Sequence, residues 1–184
     1  SIRLYVNNSA IYGRENSTFL NLADITGEDW YSEMMDNQDG IYCRSTYSYH
    51  FRDARGEKQL ISCVRTLHVD GFNGKILGVL SIDMLESSIS EIMRQTDITR
   101  NGQVYLVDKT GTVISGLDQT KYGQKPAVLN EYPDLFERDA GKIHVGKKGQ
   151  SSILIHKKVE GTNWQLVALI PEKEIAEQSR LLAK

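Results

Sequence analysis

The sequence from Arg44 to Leu85 reads RSTYSYHFRDARGEKQLISCVRTLHVDGFNGKILGVLSIDML. Two segments rich in turn residues, DARGE and VDGFNG, divide it into three strand-like runs. Because glycine and aspartate favour tight connections, the stretch predicts three antiparallel strands joined by hairpins. Side chains alternate along a strand, so Tyr47, Tyr49 and Phe51 share one face of the first run and Arg44 lies on the other. We therefore expect a half-buried sheet with an aromatic stripe.

The spacing of apolar residues changes directly after this stretch. Leu85, Ile89, Ile92 and Met93 recur at helical intervals, which predicts an amphipathic helix. A second series of strands follows in QVYLVD, TVIS and GKIHVGKKGQSSILIHKKVEGTNWQLVALIP, with turns at DKTG, GKKG and EGTN. The second half thus repeats the architecture of the first half without repeating its sequence.

We predict an α+β protein with two antiparallel-sheet subdomains, at residues 1–99 and 100–171, and a boundary near Thr99–Asn101. Pro171 has no N–H and a preset φ, so it is predicted to end the last strand and begin a helix over residues 172–184. The chain opens on a strand-like run and closes on an uncapped helix. We therefore expect it to be a piece of a longer protein.

Composition narrows the class of protein. The chain has 184 residues, 40% of them hydrophobic and 25% charged, with a formal net charge of -2. These values are ordinary for a globular protein and argue against nucleic acid as a partner. No apolar stretch approaches the roughly 18 residues that a membrane-spanning helix requires.

Motifs of catalysis are missing from the sequence. It contains no GxSxG, HExxH, GxxxxGK or GxGxxG, and its 4 histidines are scattered through predicted strands. We therefore predict no enzymatic activity in this chain, no cofactor and no metal site.

Two cysteines, Cys43 and Cys63, lie in strand-like runs and could form a disulfide or remain as buried thiols. A hairpin centred near Arg55 would place Cys43 opposite a residue several positions beyond Cys63. We therefore predict that the two cysteines are not linked.

Asp83 ends an apolar strand immediately before the predicted amphipathic helix. A carboxylate in that place can cap the helix or can stand at the rim of a binding pocket. Spacing favours the cap, and both interpretations remain open at this point.

An ordered set of motifs resembles the double Cache family of extracellular sensor domains. GEDWY, QLISCVRTL and GVLSIDM are similar to the membrane-distal half of that module, and NGQVYLVDKTGTVIS with GTNWQLVALIPEKEI to the membrane-proximal half. The resemblance implies two stacked PAS-like subdomains along a long N-terminal helix, which this chain would lack. It also implies an extracellular position between two membrane spans, with the helix after Pro171 leading into the second span.

The resemblance places a ligand pocket in the first subdomain. Trp30, Tyr31 and Asp83 match pocket positions of the family, and Phe51 and Asp53 fall near a tyrosine and an aspartate of its amino-acid-binding members. Those members carry an arginine two residues before the tryptophan, where this sequence has Glu28.

Two further residues complete the candidate site. Tyr49 belongs to the aromatic stripe, and Arg65 is an alternative anion-binding group whose direction strand alternation does not settle. The aromatic residues could instead be core, as stripes at strand spacing usually are. Aromatic walls with one carboxylate would suit a small polar or cationic ligand.

The resulting functional hypothesis is a ligand-sensing domain of a bacterial membrane receptor. The residues of these motifs favour a sensor histidine kinase as the receptor type. The full-length receptor would be a homodimer in the membrane. A chemoreceptor is an alternative of the same class. A protein-interaction or structural module without a small-molecule ligand is the alternative of a different class.

Overall fold

The computed structural model describes residues 1–7, 18–36, 40–51, 56–68, 76–95, 100–146 and 150–182. The chain forms two compact units, Ser1–Leu85 and Glu86–Lys184, each built on one sheet with short helices. Among the residues that the structure describes, all strand pairings except one are antiparallel. The predicted α+β class with two antiparallel-sheet subdomains is confirmed.

In its described residues, the first unit contains six strands and one α-helix, α1 (Asp29–Asp36). The strands are β1 (Ile2–Val6), β2 (Phe19–Asn21), β3 (Tyr42–Cys43), β4 (Tyr47–His50), β5 (Glu57–His68) and β6 (Ile76–Leu85). Their order is β2-β1-β6-β5-β3, with β4 also paired to β5, and β1 and β2 are parallel. The long β5–β6 hairpin is the predicted one, and β1 lies on the other side of β6.

The two faces of this sheet differ in character. The inner face is the one that bears Arg3, Tyr5, Ser81 and Asp83, all of them buried. It carries the core of the unit, which α1 covers with two side chains one helical turn apart. The buried core residues are Tyr5, Ile25, Trp30, Met34, Tyr42, Val64 and Val79.

The opposite, outer face presents apolar side chains to solvent. Ile2 pairs directly with Ile82, and these side chains are 58% and 47% exposed. Arg65 lies on this face as well, because it pairs with Leu80 while its neighbour Val64 pairs with Ser81 on the inner face.

The second unit begins with α2 (Glu86–Gln95), and its described residues continue into five antiparallel strands. These are β7 (Gln103–Asp108), β8 (Val113–Gly116), β9 (Ala140–Val145), β10 (Ser152–Lys158) and β11 (Trp164–Pro171), in the order β8-β7-β11-β10-β9. The connection from β8 to β9 contains 3-10 turns at Gln119–Lys121 and Pro133–Glu137 and the short helix α3 (Ala127–Asn130). The core lies between this connection and the sheet, around Val107, Val113, Leu129 and Leu154.

The DKTG turn has the form that its residues dictate. The Asp108 carboxylate accepts the backbone N–H of Thr110 at 2.8 Å and of Thr112 at 3.0 Å. Gly111 has φ +86°, in the left-handed region that glycine occupies without strain. A tight hairpin from β7 to β8 follows.

The division between the units falls at Leu85–Glu86, before the helix that the sequence assigned to the first subdomain. The reason lies in Glu86, whose side chain is buried. Its Oε1 accepts the hydroxyl protons of Ser115 at 2.7 Å and Tyr122 at 2.6 Å. These bonds attach the start of α2 to the second sheet, and burial with the neighbouring Glu86 raises the pKa of Tyr122 to about 12.

The prediction of unlinked cysteines is wrong. Cys43 and Cys63 stand directly opposite each other on β3 and β5 and form a disulfide. His50 pairs with Glu57, so the hairpin is centred earlier than Arg55. Between the pairs Cys43–Cys63 and Tyr47–Leu60, the three residues 44–46 face the two residues 61–62. This extra residue, a β-bulge, brings the cysteines into register.

The final helix, α4 (Glu172–Leu182), follows β11 as predicted, beginning directly after Pro171. Its first turn is anchored by side chains. The Glu172 carboxylate binds Ser151 Oγ at 2.6 Å and His144 Nδ1 at 2.5 Å, and Glu174 accepts the backbone N–H of Asn101. Within the described residues, no helix has the length and apolar character needed to cross a membrane.

Candidate functional site

A buried ion pair stands at the centre of the inner face. Arg3 on β1 and Asp83 on β6 meet in a bidentate arrangement, with Nη2 to Oδ1 at 2.6 Å and Nε to Oδ2 at 2.7 Å. Their side chains are only 7% and 1% exposed. Two parallel charge-assisted bonds of this kind fix both the position and the orientation of the carboxylate.

Three hydroxyl groups complete the surroundings of Asp83. Ser62 Oγ and Ser81 Oγ donate to Oδ1 at 2.7 and 2.8 Å, and Ser1 Oγ donates to Oδ2 at 2.8 Å. Burial alone would raise the pKa of Asp83, but the hydrogen bond and charge of Arg3, with the bonds from Ser62 and Ser1, hold the pKa below its ordinary value. Asp83 is therefore a satisfied buried carboxylate within a strand, and the helix-cap interpretation does not apply.

Aromatic rings surround the guanidinium of Arg3. It lies 4.7 Å from the ring centroid of Tyr49 and 5.8 Å from that of Tyr5, and its Nη2 donates to the Tyr47 hydroxyl at 2.6 Å. The Tyr47 hydroxyl also contacts Ser62 Oγ at 2.7 Å. Burial chiefly raises the pKa of Tyr5 to about 12, so its phenol is neutral at physiological pH. The result is a polar network beneath an aromatic surface.

A second guanidinium, that of Arg44, lies between two rings of the same surface. Its Cζ is 4.5 Å from the ring centroid of Trp30 and 3.9 Å from that of Tyr47. Within the described residues the guanidinium has no carboxylate or hydroxyl in hydrogen-bond contact. Burial lowers the pKa of Arg44, and Tyr47, Tyr5 and the more distant Glu28 only partly oppose this. The positive charge of Arg44 is held beside aromatic faces without an ion-pair partner in the described part of the chain.

Trp30 contributes a second free donor. The residue is only 9% exposed, and its indole Nε1 has no hydrogen-bond partner among the described residues. Tyr31 packs edge-on against it at 6.3 Å between ring centroids. An unpaired buried N–H costs free energy of the order of 1–3 kcal/mol, so such groups are uncommon in folded proteins. Among the described residues, Trp164 Nε1 in the second unit is another.

The structure brings most of the predicted site residues together. Trp30, Tyr49 and Asp83 lie on the inner face, and Phe51 contacts Tyr49 at 4.9 Å between ring centroids. Tyr31 is half-buried beside Trp30. Arg65 is exposed on the outer face and is not brought to this group. Asp53 lies outside the described residues.

Sequence reasoning missed Arg3 and Arg44. An arginine inside the apolar run IRLYV is an unusual signal, since β1 otherwise reads as a buried strand, and it could have pointed to a buried partner. The predicted placement of Arg44 on the face opposite the tyrosines is wrong. Strand alternation does not continue through residues 44–46, because the bulge there returns Arg44 to the inner face beside Tyr47.

The second unit contains a separate cavity of about 280 Å³ along β9 and the 3-10 turn at Pro133–Glu137. His156 lines it and is itself buried. Gln165 Nε2 donates to the carbonyls of Phe136 and Arg138, so Gln165 Oε1 must accept the Nδ1–H of His156 at 2.8 Å. The imidazole is thereby held in one orientation above Gly141, where a Cβ would lie 2.4 Å from Nε2.

Metal binding has no structural support in the described ranges, which hold no group of three or more His, Cys, Asp or Glu side chains suited to an ion.

Comparison with known proteins identifies a family. The family model described as Cache domain matches residues 3–179. A search of curated proteins gives no significant match. Many solved structures share the fold.

Three of these structures illustrate the likeness. The extracellular domain of mmHK1S-Z3, described as a histidine kinase, is 17% identical with a TM-score of 0.64, over 89% of this chain and 60% of that chain. The periplasmic sensory domain of the Campylobacter jejuni chemoreceptor Tlp1 is 10% identical with a TM-score of 0.59, over 83% and 57%. The ligand-binding domain of the Pseudomonas aeruginosa PAO1 amino acid chemoreceptor PctB, solved with L-Arg, is 15% identical with a TM-score of 0.61, over 95% and 72%.

At these identities the structural likeness concerns the fold. The chain spans 60% and 57% of the first two of these structures. The family match, in contrast, covers nearly the whole of this sequence and agrees with its two units of antiparallel-dominated sheet. The chain belongs to the Cache domain family, in its double Cache form.

Proposed function

We propose that this chain is the extracellular ligand-sensing domain of a bacterial transmembrane receptor and that it binds a small molecule against the inner face of its first unit. Cache domains of related receptors are sensory and not catalytic. The observation that carries the proposal is the pair formed by the unpartnered Trp30 Nε1–H and the uncompensated guanidinium of Arg44, within the described residues. Both are hydrogen-bond donors, buried or partly buried, that a ligand could satisfy.

The first unit is proposed as the membrane-distal, ligand-binding subdomain and the second unit as the membrane-proximal one, with α4 leading toward the membrane. A sensor histidine kinase is the favoured receptor type, by analogy with mmHK1S-Z3, and a chemoreceptor such as those of Tlp1 and PctB is the alternative. Receptors of either type would work as membrane homodimers, and any catalytic activity would reside in a cytoplasmic domain.

A thermal-shift screen of this chain against a broad metabolite library tests the proposal. A ligand that binds only the folded state stabilises it by about 2.7 kcal/mol at a hundredfold excess over its Kd. Trp30→Phe keeps an aromatic ring but removes the N–H, so it should weaken the response to any compound found. Trp164→Phe, the same change in the second unit, is the matched control and should leave the response intact.

Two results would contradict the proposal in different ways. If no compound stabilises the wild-type chain, the small-molecule function is wrong. If Trp30→Phe responds like the wild type, binding occurs elsewhere, and the cavity beside His156 becomes the site to test.

A protein-interaction module is the second candidate function. The paired and exposed Ile2 and Ile82 on the outer face favour it, since adjacent apolar side chains in solvent suit contact with another polypeptide segment. Ile2→Ser with Ile82→Ser would then abolish partner capture by the full-length receptor, and ligand binding at the inner face would be unaffected. If the double variant captures partners as the wild type does, this candidate function is wrong.

A further inference from the structure

We propose that the ligand of the inner face is a small carboxylate without an ammonium group and that Arg44 is the residue that selects it. This inference rests on the proposed function of the first unit as a ligand-binding domain. It narrows the polar ligand expected from the sequence to an anion and rejects the cationic alternative.

The first step is the state of Arg44. Two rings, of Trp30 and Tyr47, lie within 4.5 Å of its guanidinium carbon. Ring faces satisfy a guanidinium electrostatically but accept few of its five N–H donors. Within the described residues no side-chain acceptor is bonded to those donors, and an exposed Glu28 supplies only a more distant attraction. A ligand oxygen can therefore take bonds that the protein leaves unmade.

The second step is the adjacent donor. Trp30 is in direct contact with Arg44 through its ring, and its Nε1–H lacks a partner among the described residues. A carboxylate accepts through two oxygens and can bridge an arginine and a second N–H donor. One uncompensated positive charge with one neutral donor matches a monovalent carboxylate better than a divalent phosphate.

The third step excludes an ammonium group. The buried carboxylate of this face, Asp83, already carries five hydrogen bonds and a full ion pair with Arg3. An ammonium group bound here would face the guanidinium groups of Arg3 and Arg44 and one carboxylate, Asp83, whose charge is already paired with Arg3. The buried and partly buried charges of Arg3, Arg44 and Asp83 sum to one net positive charge, and the exposed Glu28 offsets it only weakly because solvent screens its charge. This net charge repels a cation and attracts an anion.

The experiment uses the 184-residue chain and a matched set of probes: acetate, L-lactate, pyruvate and succinate, the amino acids L-alanine and L-arginine, the neutral lactamide, and inorganic phosphate. Binding is measured by calorimetry and by thermal shift. We expect at least one of the four ammonium-free carboxylates to bind more tightly than alanine, arginine, lactamide and phosphate.

Variants assign the selectivity to Arg44. Arg44→Gln should weaken carboxylate binding about ten- to hundredfold, the range expected for losing bonds to a charged group. Arg65→Gln, on the outer face of the same sheet, removes the same charge and should change the affinity less than twofold. Glu28→Gln should tighten binding, because it removes a negative charge that acts on Arg44.

Several outcomes overturn the inference while leaving the proposed function intact. The inference is wrong if alanine, arginine, lactamide or phosphate binds more tightly than every one of the four carboxylates. It is also wrong if Arg44→Gln does not weaken carboxylate binding. Failure of all eight probes while the metabolite screen finds a different ligand also overturns it. If none of the eight probes binds and the metabolite screen finds no stabilising compound, the proposed function is wrong as well.

Discussion

Arg3 and Asp83 illustrate how a charged pair can be retained inside a small sheet. Removing two charges from water costs several kcal/mol per ion, and their attraction offsets that cost only when the remaining donors and acceptors are also satisfied. Here Tyr47, Ser62 and Ser81 supply hydroxyl groups, and Tyr49 covers the guanidinium. The pair therefore joins β1 to β6 and also shapes the surface on which a ligand would lie.

Removal of one partner should destabilise the fold. Asp83→Ala leaves the Arg3 charge buried and unpaired, so we expect a loss of roughly 3 to 5 kcal/mol in the free energy of unfolding. Urea denaturation measures the loss, and Arg65→Ala on the exposed outer face is the control. A loss below about 1 kcal/mol would show that the pair contributes little.

The same pair predicts a dependence of stability on pH. The folded-state pKa of Asp83 lies below its unfolded value of about 3.9, so its contribution is present above that value and is lost as pH falls through the folded pKa. We expect the free energy of unfolding to fall between pH 5 and pH 2, within the range of roughly 5 to 1 over which such a carboxylate acts.

Comparison with Asp83→Asn isolates this contribution from other carboxylates. Asp118 and Glu172 also have lowered pKa values, chiefly through hydrogen bonds from Thr120 and Ser151, and they remain in the variant. The variant should show a shallower decline than the wild type. Equal slopes would mean that Asp83 has no lowered pKa in the folded state.

At the scale of elements, the bulge at residues 44–46 decides two features at once. It brings Cys43 opposite Cys63, and it returns Arg44 to the inner face. Continuing the β4–β5 register without the extra residue would pair Cys43 with Val64 and reverse the face of each residue before β4. One residue of chain length thus controls both the disulfide and the candidate anion site.

Deletion of Ser45 tests this control. The side chain of Ser45 is exposed, so its loss removes little burial but takes away the extra residue of the bulge. We expect the variant to retain two reactive thiols after purification under oxidising conditions, where the wild type retains none. Labelling of the denatured, unreduced chains counts them. A disulfide that still forms in the deletion variant would show that the strands can reach the register without a bulge.

Stability supplies a second measurement on the same element. In the chain-entropy account, a bridge across a loop of this size stabilises the fold by about 3 kcal/mol, so reduction of the wild-type chain should lower the free energy of unfolding by that order. Cys43→Ser with Cys63→Ser should reproduce the effect of the reductant and should show no further response to it.

At the scale of the whole molecule, a bound ligand changes a receptor only by preferring one of its states. In the proposed receptor the response to a ligand of the first unit must leave through α4, which continues directly from β11. Trp164 is the first residue of that strand and is buried in the second unit opposite Asp108, with its Nε1–H unpaired among the described residues. It is a candidate for holding β11 in place.

We predict that Trp164→Ala in the full-length receptor uncouples ligand binding from output. Affinity at the inner face should be nearly unchanged, because Trp164 lies in the other unit, while the response to ligand is lost. Removing the buried ring in Trp164→Ala is expected to lower the free energy of unfolding by about 3 to 5 kcal/mol. Trp164→Phe, which keeps an aromatic ring, is therefore measured beside it. Leu166→Ala, exposed on the same strand, is the control.

Binding and output are measured on the same variants. If ligand affinity and receptor output both fall in Trp164→Phe as well as in Trp164→Ala, the two units act as one. The hypothesis that the first unit binds the ligand and the second transmits the response would then be wrong. If neither changes, the signal does not travel through β11.

The sequence by itself determined the features that depend on local pattern. Strand alternation in β5 and β6, the turn residues of DKTG, and Pro171 before α4 each have a local physical cause, so the fold class and the order of elements were predictable. Trp30 and Asp83 were predicted as site residues because a family resemblance covers them. The tertiary structure decided what required knowledge of register and partner.

The carboxylate of Asp83 is paired with a positive charge because β1 brings Arg3 beside it, from a position 80 residues away in the chain. The same reasoning holds for Cys43 and Arg44, whose faces depend on a bulge. A single extra residue in a strand reverses which side each following side chain occupies, and its energy depends on packing across the sheet, which a linear pattern does not contain.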